Sequence, residues 1–243
     1  MLLGPDEPPP YGVVNPDGAS DILLICEHAS PAIPRALGDL GLSEAERRRH
    51  IGWDIGALDM ALDLSARLDA TLVHSNWSRL VVDCNRPLDR PSLIPETSEV
   101  TRVPGNLGLS AAERARRIDA LFRPFHEAIA ERIEARQTAG RATIVVGLHS
   151  FTPVYKGVAR PWHAGILYAA ARPLAQRLIA ALSQPGLVIG ENEPYRIDRD
   201  DYTVPVHGDA RGLPAVLVEI RNDLIADSAG ASAWAGRLAA ALG

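Results

Sequence analysis

The chain has 243 residues, 47% of them hydrophobic and 23% charged, with 30 acidic against 25 basic side chains and a net charge of −5. That composition describes a folded globule with an ample core and excludes a disordered segment. The acidic balance lacks the basic footprint of a nucleic-acid binder, and no apolar run is long enough to span a bilayer.

Residues 1–20 are rich in Pro, Gly and Asp and predict a surface arm, and the start lacks the basic and apolar pattern of a secretory signal. Asp21–Cys26 (DILLIC) reads as a first buried strand. Residues 54–69 place Ile55, Leu58, Leu62 and Leu68 at helical spacing. Thr71–Ser75 and Leu80–Cys84 are short β-rich runs, expected to form a hairpin or tight crossover through Asn76-Trp77-Ser78-Arg79. Residues 86–108 form a long connection marked by Pro87, Pro91, Pro95 and Pro104, of a length that usually carries function or acts as a lid.

Ser110 with Glu113 makes a capping-box pattern, and the helix it starts runs to about Thr138 with a break or kink at Pro124. Then come a strand at Thr143–Leu148, a loop at 152–161, a strand at Gly165–Tyr168 and a helix at Arg172–Leu182. A short strand at Leu187–Ile189, a polar loop from Glu191 to Arg211, a strand at Ala215–Ile220 and a helix over 228–242 complete the chain. This alternation predicts an α/β fold, a three-layer α/β/α sandwich with a mainly parallel, mixed central sheet, as one domain over residues 21–243. Two cysteines, Cys26 and Cys84, cannot build a disulfide framework and fit a reduced, cytoplasmic chain.

Two aliphatic runs stop at histidines, Asp21–Cys26 before Glu27-His28 and Thr143–Leu148 before His149-Ser150, both expected in loops at the sheet's carboxyl edge. Two imidazoles delivered to one edge point to a metal or acid/base site. A catalytic metal of the zinc type takes three protein ligands, and the candidates for a third are Asp54 and Glu27. Asp54 opens a helix, where its ordinary role is an N-cap; Glu27 neighbours His28, and adjacent residues on extended chain point apart. Arg79, Asp83, Asn85 and Arg86 gather two guanidinium groups, an amide and a carboxylate, a set suited to an anionic substrate, although Asp83 is expected to pair with one of the arginines. Glu219 follows four apolar residues and could activate water; its ordinary alternative is a salt bridge. His126 and His163 each follow a Pro-aromatic pair and could contact substrate or be structural. No GxGxxG, Walker A, GxSxG or HExxH motif occurs.

Together the segments Glu27-His28-Ala29-Ser30, Trp53-Asp54, Ser78–Arg86, Arg123-Pro124-Phe125-His126, Leu148–Phe151 and Leu217–Arg221 resemble the N-formylglutamate amidohydrolase family. The resemblance implies a fold similar to zinc-dependent exopeptidases and a zinc or other divalent ion held by His28 and His149. It also implies an Asn85-Arg86 clamp for the substrate carboxylate and Glu219 as the base. In the wider carboxypeptidase pattern a Glu stands three residues after the first metal His. Here that position is Pro31, so the third ligand is expected at Asp54 ahead of Glu27.

The function so implied is metal-dependent hydrolysis of a small-molecule N-acyl amino acid, most concretely N-formyl-L-glutamate to L-glutamate and formate. Arg79 or an arginine of residues 191–221 would then meet the substrate side chain, and His126 would add a contact. Two other readings stand beside it: a cysteine amidase using Cys26 or Cys84, and a non-catalytic carboxylate binder on the same scaffold. Oligomeric state is not legible in the sequence.

Overall fold

Seven strands form the central sheet of the computed structural model, which describes residues 1–243. They are β1 (Tyr11–Val14), β2 (Ile22–Cys26), β3 (Thr71–Ser75), β4 (Ile144–Phe151), β5 (Ala164–Leu167), β6 (Ile189–Glu191) and β7 (Ala215–Arg221). Their spatial order is β1-β3-β2-β4-β7-β5-β6. The central four, β3, β2, β4 and β7, run parallel; β1 lies antiparallel to β3, and β5 antiparallel to β7. The sheet is therefore mixed and mainly parallel.

Helices α1 (Ala57–Leu68), α2 (Ala111–Arg117), α3 (Arg123–Thr138), α4 (Arg172–Leu182) and α5 (Ser228–Leu242) cover it on both faces. Because strand side chains alternate, each central strand feeds two cores. Leu24, Val146, Leu148, Val216 and Val218 pack with Met60 and Leu64 of α1, Leu178 of α4 and Trp234 of α5. Leu23, Ile25, Val145 and Leu217 pack on the other face with Phe125, Ile129 and Ile133 of α3. This is the three-layer α/β/α sandwich expected from the alternation of elements. No helix is long and apolar enough to cross a membrane.

The structure departs from the sequence reading in four places. Residues 1–20 are not simply a surface arm: Tyr11–Val14 pairs with β3 in full register, and Leu2 is buried in the α3-side core. Strand β4 does not end at Leu148 but continues through His149 to Phe151, so His149 is a strand residue. The short strand expected at Leu187–Ile189 lies two residues later. The fourth departure is the most informative, because Leu80–Cys84 is not a strand at all.

Its apolar, β-branched composition reflects burial, since Leu80, Val81, Val82 and Cys84 all lie in the α3-side core. Side chains take the carbonyls that a neighbouring strand would have used. Asn106 Nδ2 donates to Leu80 O (2.9 Å), Arg117 Nη1 donates to Val81 O (3.2 Å), and His126 Nε2 lies 2.8 Å from Cys84 O. The backbone N–H of Asp83 donates to Leu93 O (2.7 Å), tying the segment to the long connection after it.

That connection, residues 86–108, is held rather than loose. Leu93, Ile94 and Val103 are buried, and Asn106 also donates to Pro95 O (2.8 Å). After it, Ser110 and Glu113 form the expected capping box, and the break expected near Pro124 is a π-helical turn at Ile118–Phe122. Pro124 then sits in the first turn of α3, where its missing N–H removes no helix bond.

Arg117 fastens this region, donating also to Asn106 Oδ1 (2.7 Å) and Gly105 O (3.0 Å) while itself buried. Replacing it by Met takes the Arg117 donors from three acceptors, Val81 O and Asn106 Oδ1 buried and Gly105 O partly so. The Arg117→Met protein is expected to lose about 3 kcal/mol of unfolding free energy, measured by urea titration.

Candidate active site

Strand order brings the candidate residues to one edge. β2 ends at Cys26 and turns, so Glu27 and His28 leave the sheet beside β4. His149 of β4 and Glu219 of β7 are paired residues in a parallel register, on the face that Val145 and Leu217 share with α3. Asp54 arrives from the turn before α1, its N–H donating to His28 O (2.9 Å). The turn depends on Gly56 at φ 78°, where a Cβ would sit 2.0 Å from Ile225 O. Asp54 is not the N-cap of that helix, a position held by Gly56.

The two imidazoles stand edge to face with ring centroids 4.8 Å apart. Asp54 Oδ2 lies 3.3 Å from His28 Nδ1 and 2.8 Å from His149 Nδ1, and it accepts the N–H of Ser150 (3.2 Å). Each ring's other nitrogen faces a second carboxylate. His28 Nε2 is 2.7 Å from Asp83 Oδ1, and His149 Nε2 is 3.0 Å from Glu27 Oε2, a charge contact lying off the hydrogen-bond direction. A carboxylate at Nε2 favours a proton there, which leaves Nδ1 of each ring, beside Asp54, as the nitrogen that an ion would take.

The charge states follow from these contacts. Burial works against ionising Asp54, but His28 and His149 outweigh it and hold the carboxyl far below its ordinary value. Glu27, equally buried, is brought down to about 2 by His149 and then His28. Burial likewise opposes charge on His149, yet Glu27 and Asp54 raise it well above an ordinary imidazole. Asp83 is kept well below the usual range against its burial by Arg79, His28 and Arg86. Glu219 behaves oppositely: burial pushes it up to about 7, with His149 opposing and Asp54 adding to the rise. Its Oε2 is buried without any hydrogen-bond partner.

These groups face a cleft of about 440 Å³, lined by His28, Asp54, Arg79, Asp83, Asn85, Arg86, His149 and Glu219. Ser92, Thr97, Ser98 and Glu99 of the 86–108 connection form one wall. Phe151, Thr152 and Tyr155 beyond β4, with Tyr195, Arg196, Asp198, Asp200 and Asp201 of the polar loop, form another.

A single ligand atom from each of His28, Asp54 and His149 falls within a set no more than 4.8 Å apart. Two imidazoles and a carboxylate are the donor set of a catalytic zinc site, so the residues fit a divalent ion. Glu27 sits behind His149 and does not line the cleft, so were His149 to hold an ion, Glu27 would stand where a carboxylate orients such a ring.

The profile of the N-formylglutamate amidohydrolase family matches residues 20–226. The chain belongs to that family. It is thus a hydrolase acting on amide bonds, consistent with a cleft that gathers a buried imidazole–carboxylate cluster and a partnerless Glu. A gene product of Agrobacterium tumefaciens, Atu2144, is similar in structure with a TM-score of 0.95 at 44% identity, over 98% of this chain and 95% of that one. The N-formylglutamate amidohydrolase of Ralstonia eutropha JMP134 shares the fold with a TM-score of 0.70 at 21% identity, over 96% and 95% of the two chains. No match was found among curated proteins.

Three other residues singled out from this amidohydrolase's sequence are engaged in holding the cleft together. Arg79 donates to Asp83 Oδ2 from Nε (3.1 Å) and Nη2 (2.7 Å) and to Asp54 Oδ1 from Nη1 (3.4 Å). Asn85 donates to Asp201 Oδ1 (3.2 Å) and accepts the N–H groups of Tyr202 and Thr203. His126 lies outside the cleft, between Cys84 O and His207 Nε2 (2.9 Å), and burial brings it down to about 4, a neutral ring. Arg86 differs, since Nη1 alone is used, on Asn85 O and Asp200 O.

Sequence reasoning passed over His50, which lines the cleft 3.5 Å from Glu99, and Tyr195 of the polar loop, and it held Arg196 only as one of several arginines in residues 191–221. A loop's polarity gives no direction for its side chains, so no signal singled these out. Both cysteines are buried, and burial drives their thiols well above the ordinary range, which removes the thiolate a cysteine amidase needs.

If Asp54 is the third ligand, Asp54→Ala protein will purify with at least tenfold less bound divalent metal by elemental analysis, whereas Glu27→Gln will retain most of it. A fully loaded Asp54→Ala protein would transfer the ligand role to Glu27.

Proposed function

We propose that this amidohydrolase is metal-dependent and cleaves the N-acyl amide of an acidic amino acid, most concretely N-formyl-L-glutamate to L-glutamate and formate. The observation that carries the reading is the arrangement of three carboxylates around two imidazoles, with a fourth, Glu219, left partnerless on the next strand. His28, Asp54 and His149 would hold the ion, zinc being the natural fit to this donor set. When bound, such an ion supplies Lewis acidity for the amide carbonyl and for the attacking water.

Glu219 is the residue suited to move protons. Its carboxylate takes a proton from the attacking water and passes it to the departing amine as the C–N bond breaks, giving the free amino acid and formate. A value near 7 suits both halves of that transfer, because the group is neither too weak a base nor too weak an acid. Arg86, with Nε and Nη2 uncommitted, would take the substrate's α-carboxylate as a fork. Holding that end fixes the scissile amide beside Glu219, and orientation of this kind removes a large part of the barrier. Asp83 and Glu27 keep the two imidazoles in one tautomer and one orientation throughout. Reduced, buried Cys26 and Cys84 agree with a cytoplasmic enzyme of small-molecule metabolism.

Glu219→Gln keeps the shape of the side chain and removes its basicity. In assays with N-formyl-L-glutamate it should lower kcat by on the order of a hundredfold or more while leaving metal content unchanged; loss of metal instead would make Glu219 a ligand. Arg86→Lys replaces a fork by a point charge and should raise KM about tenfold with little change in kcat, and unaltered kinetics would rule out the clamp.

A further inference from the structure

We propose that Arg196 is the specificity-determining residue of this cleft and receives the side-chain carboxylate of an acidic substrate. The inference rests on the amidohydrolase reading above and names the residue that would select among N-acyl amino acids.

Three arginines line the cleft, Arg79, Arg86 and Arg196. Arg79 has each of its three nitrogens on Asp83 or Asp54. Arg86 retains two free nitrogens, but its charge is already shared with Asp201, 3.6 Å away. Arg196 makes no ion pair and no hydrogen bond, although acidic Asp198 and Asp200 follow it closely in the same loop. A substrate with two carboxylates brings two negative charges into a cleft that also carries Glu99, Asp198, Asp200 and Asp201. One partly offset guanidinium does not balance both at the end of the cleft away from His28 and His149, and Arg196 is the remaining arginine.

An exposed arginine with no partner is ordinary on a protein surface. What distinguishes Arg196 is that the segment carrying it is fastened on both sides. On the N-terminal side, the ring of Tyr195 lies 4.8 Å from the guanidinium of Arg160, which also stacks 4.6 Å from Tyr155. Gly165, opposite Glu219 in the sheet, lets the backbone of Glu193 approach so closely that a Cβ there would fall 1.9 Å from Glu193 O. On the C-terminal side, Asn85 Oδ1 accepts the N–H groups of Tyr202 (3.1 Å) and Thr203 (3.0 Å), and Arg90 Nε lies 3.1 Å from Asp200 Oδ1. The loop is therefore ordered before substrate arrives, and a cation presented from it spends little of its attraction on ordering its own backbone.

A neutral side chain in the same place would leave Arg196 in water, where it already is. Selectivity should then come from added affinity for the acid and not from exclusion of neutral analogues.

The test compares N-formyl-L-glutamate with N-formyl-L-glutamine, which matches it in shape and lacks the side-chain charge, on metal-loaded wild-type, Arg196→Ala and Arg196→Glu proteins. The acid-to-amide ratio of kcat/KM is expected to fall by on the order of ten- to a hundredfold in Arg196→Ala, mainly through KM for the acid, and further in Arg196→Glu. A ratio within about twofold of wild type in both variants overturns the inference. So does an equal loss on both substrates, which would mark Arg196 as a support of the loop. Wild-type protein that hydrolyses neither compound overturns the amidohydrolase reading and this inference with it, and that result appears before any substitution is made.

Discussion

The site is organised around a single buried carboxylate. Asp54 accepts contacts from both imidazoles, from the Arg79 guanidinium and from the N–H of Ser150, so segments far apart in sequence converge on two oxygen atoms. A charge removed from water is tolerable only when surrounded in this way. The same requirement makes the arrangement unforgiving, because removing Asp54 takes one partner from two imidazoles and a guanidinium at once. The turn at Gly56, the extension of β4 to Phe151 and the position of Arg79 all bring groups to this one point.

Around it, environment sorts chemically similar groups into different tasks. Asp54, Glu27 and Asp83 are buried, yet each has a cationic or protonatable partner and stays ionised. Glu219 is buried to a similar degree but has no partner for Oε2 and is pushed up to about 7. The difference is not in the side chain but in what faces it. Three carboxylates thereby hold the imidazoles in place, and the fourth is left able to exchange a proton.

The cleft walls show how irregular backbone can be made firm without a ladder of strand hydrogen bonds. Carbonyls of Leu80, Val81 and Cys84 are met in turn by Asn106, Arg117 and His126. Arg86 and Asn85 leave this braced stretch and reach the polar loop, where Asn85 fixes residues 201–203. His126 thus acts beneath the cleft, through the chain that carries Arg86, instead of contacting what enters it.

The sequence by itself determined the fold class, because a buried parallel strand must be aliphatic throughout and an amphipathic helix must repeat every three to four residues; β2, β3, β4, β7, α4 and α5 were all legible on those terms. Residue chemistry at the strand ends also marked out His28, His149 and Glu219, and the order of the motifs pointed to the family. Burial without regular structure was not legible, so Leu80–Cys84 passed for a strand, and Tyr11–Val14, short, half-buried at a sheet edge and flanked by Pro, Asp and Gly, passed for an arm. Only the tertiary structure decided which carboxylate faces which nitrogen, separating Asp54 at the two Nδ1 atoms from Glu27 and Asp83 at Nε2. Those contacts join residues on different elements, and their geometry comes from strand order and turn placement, which local sequence pattern does not encode.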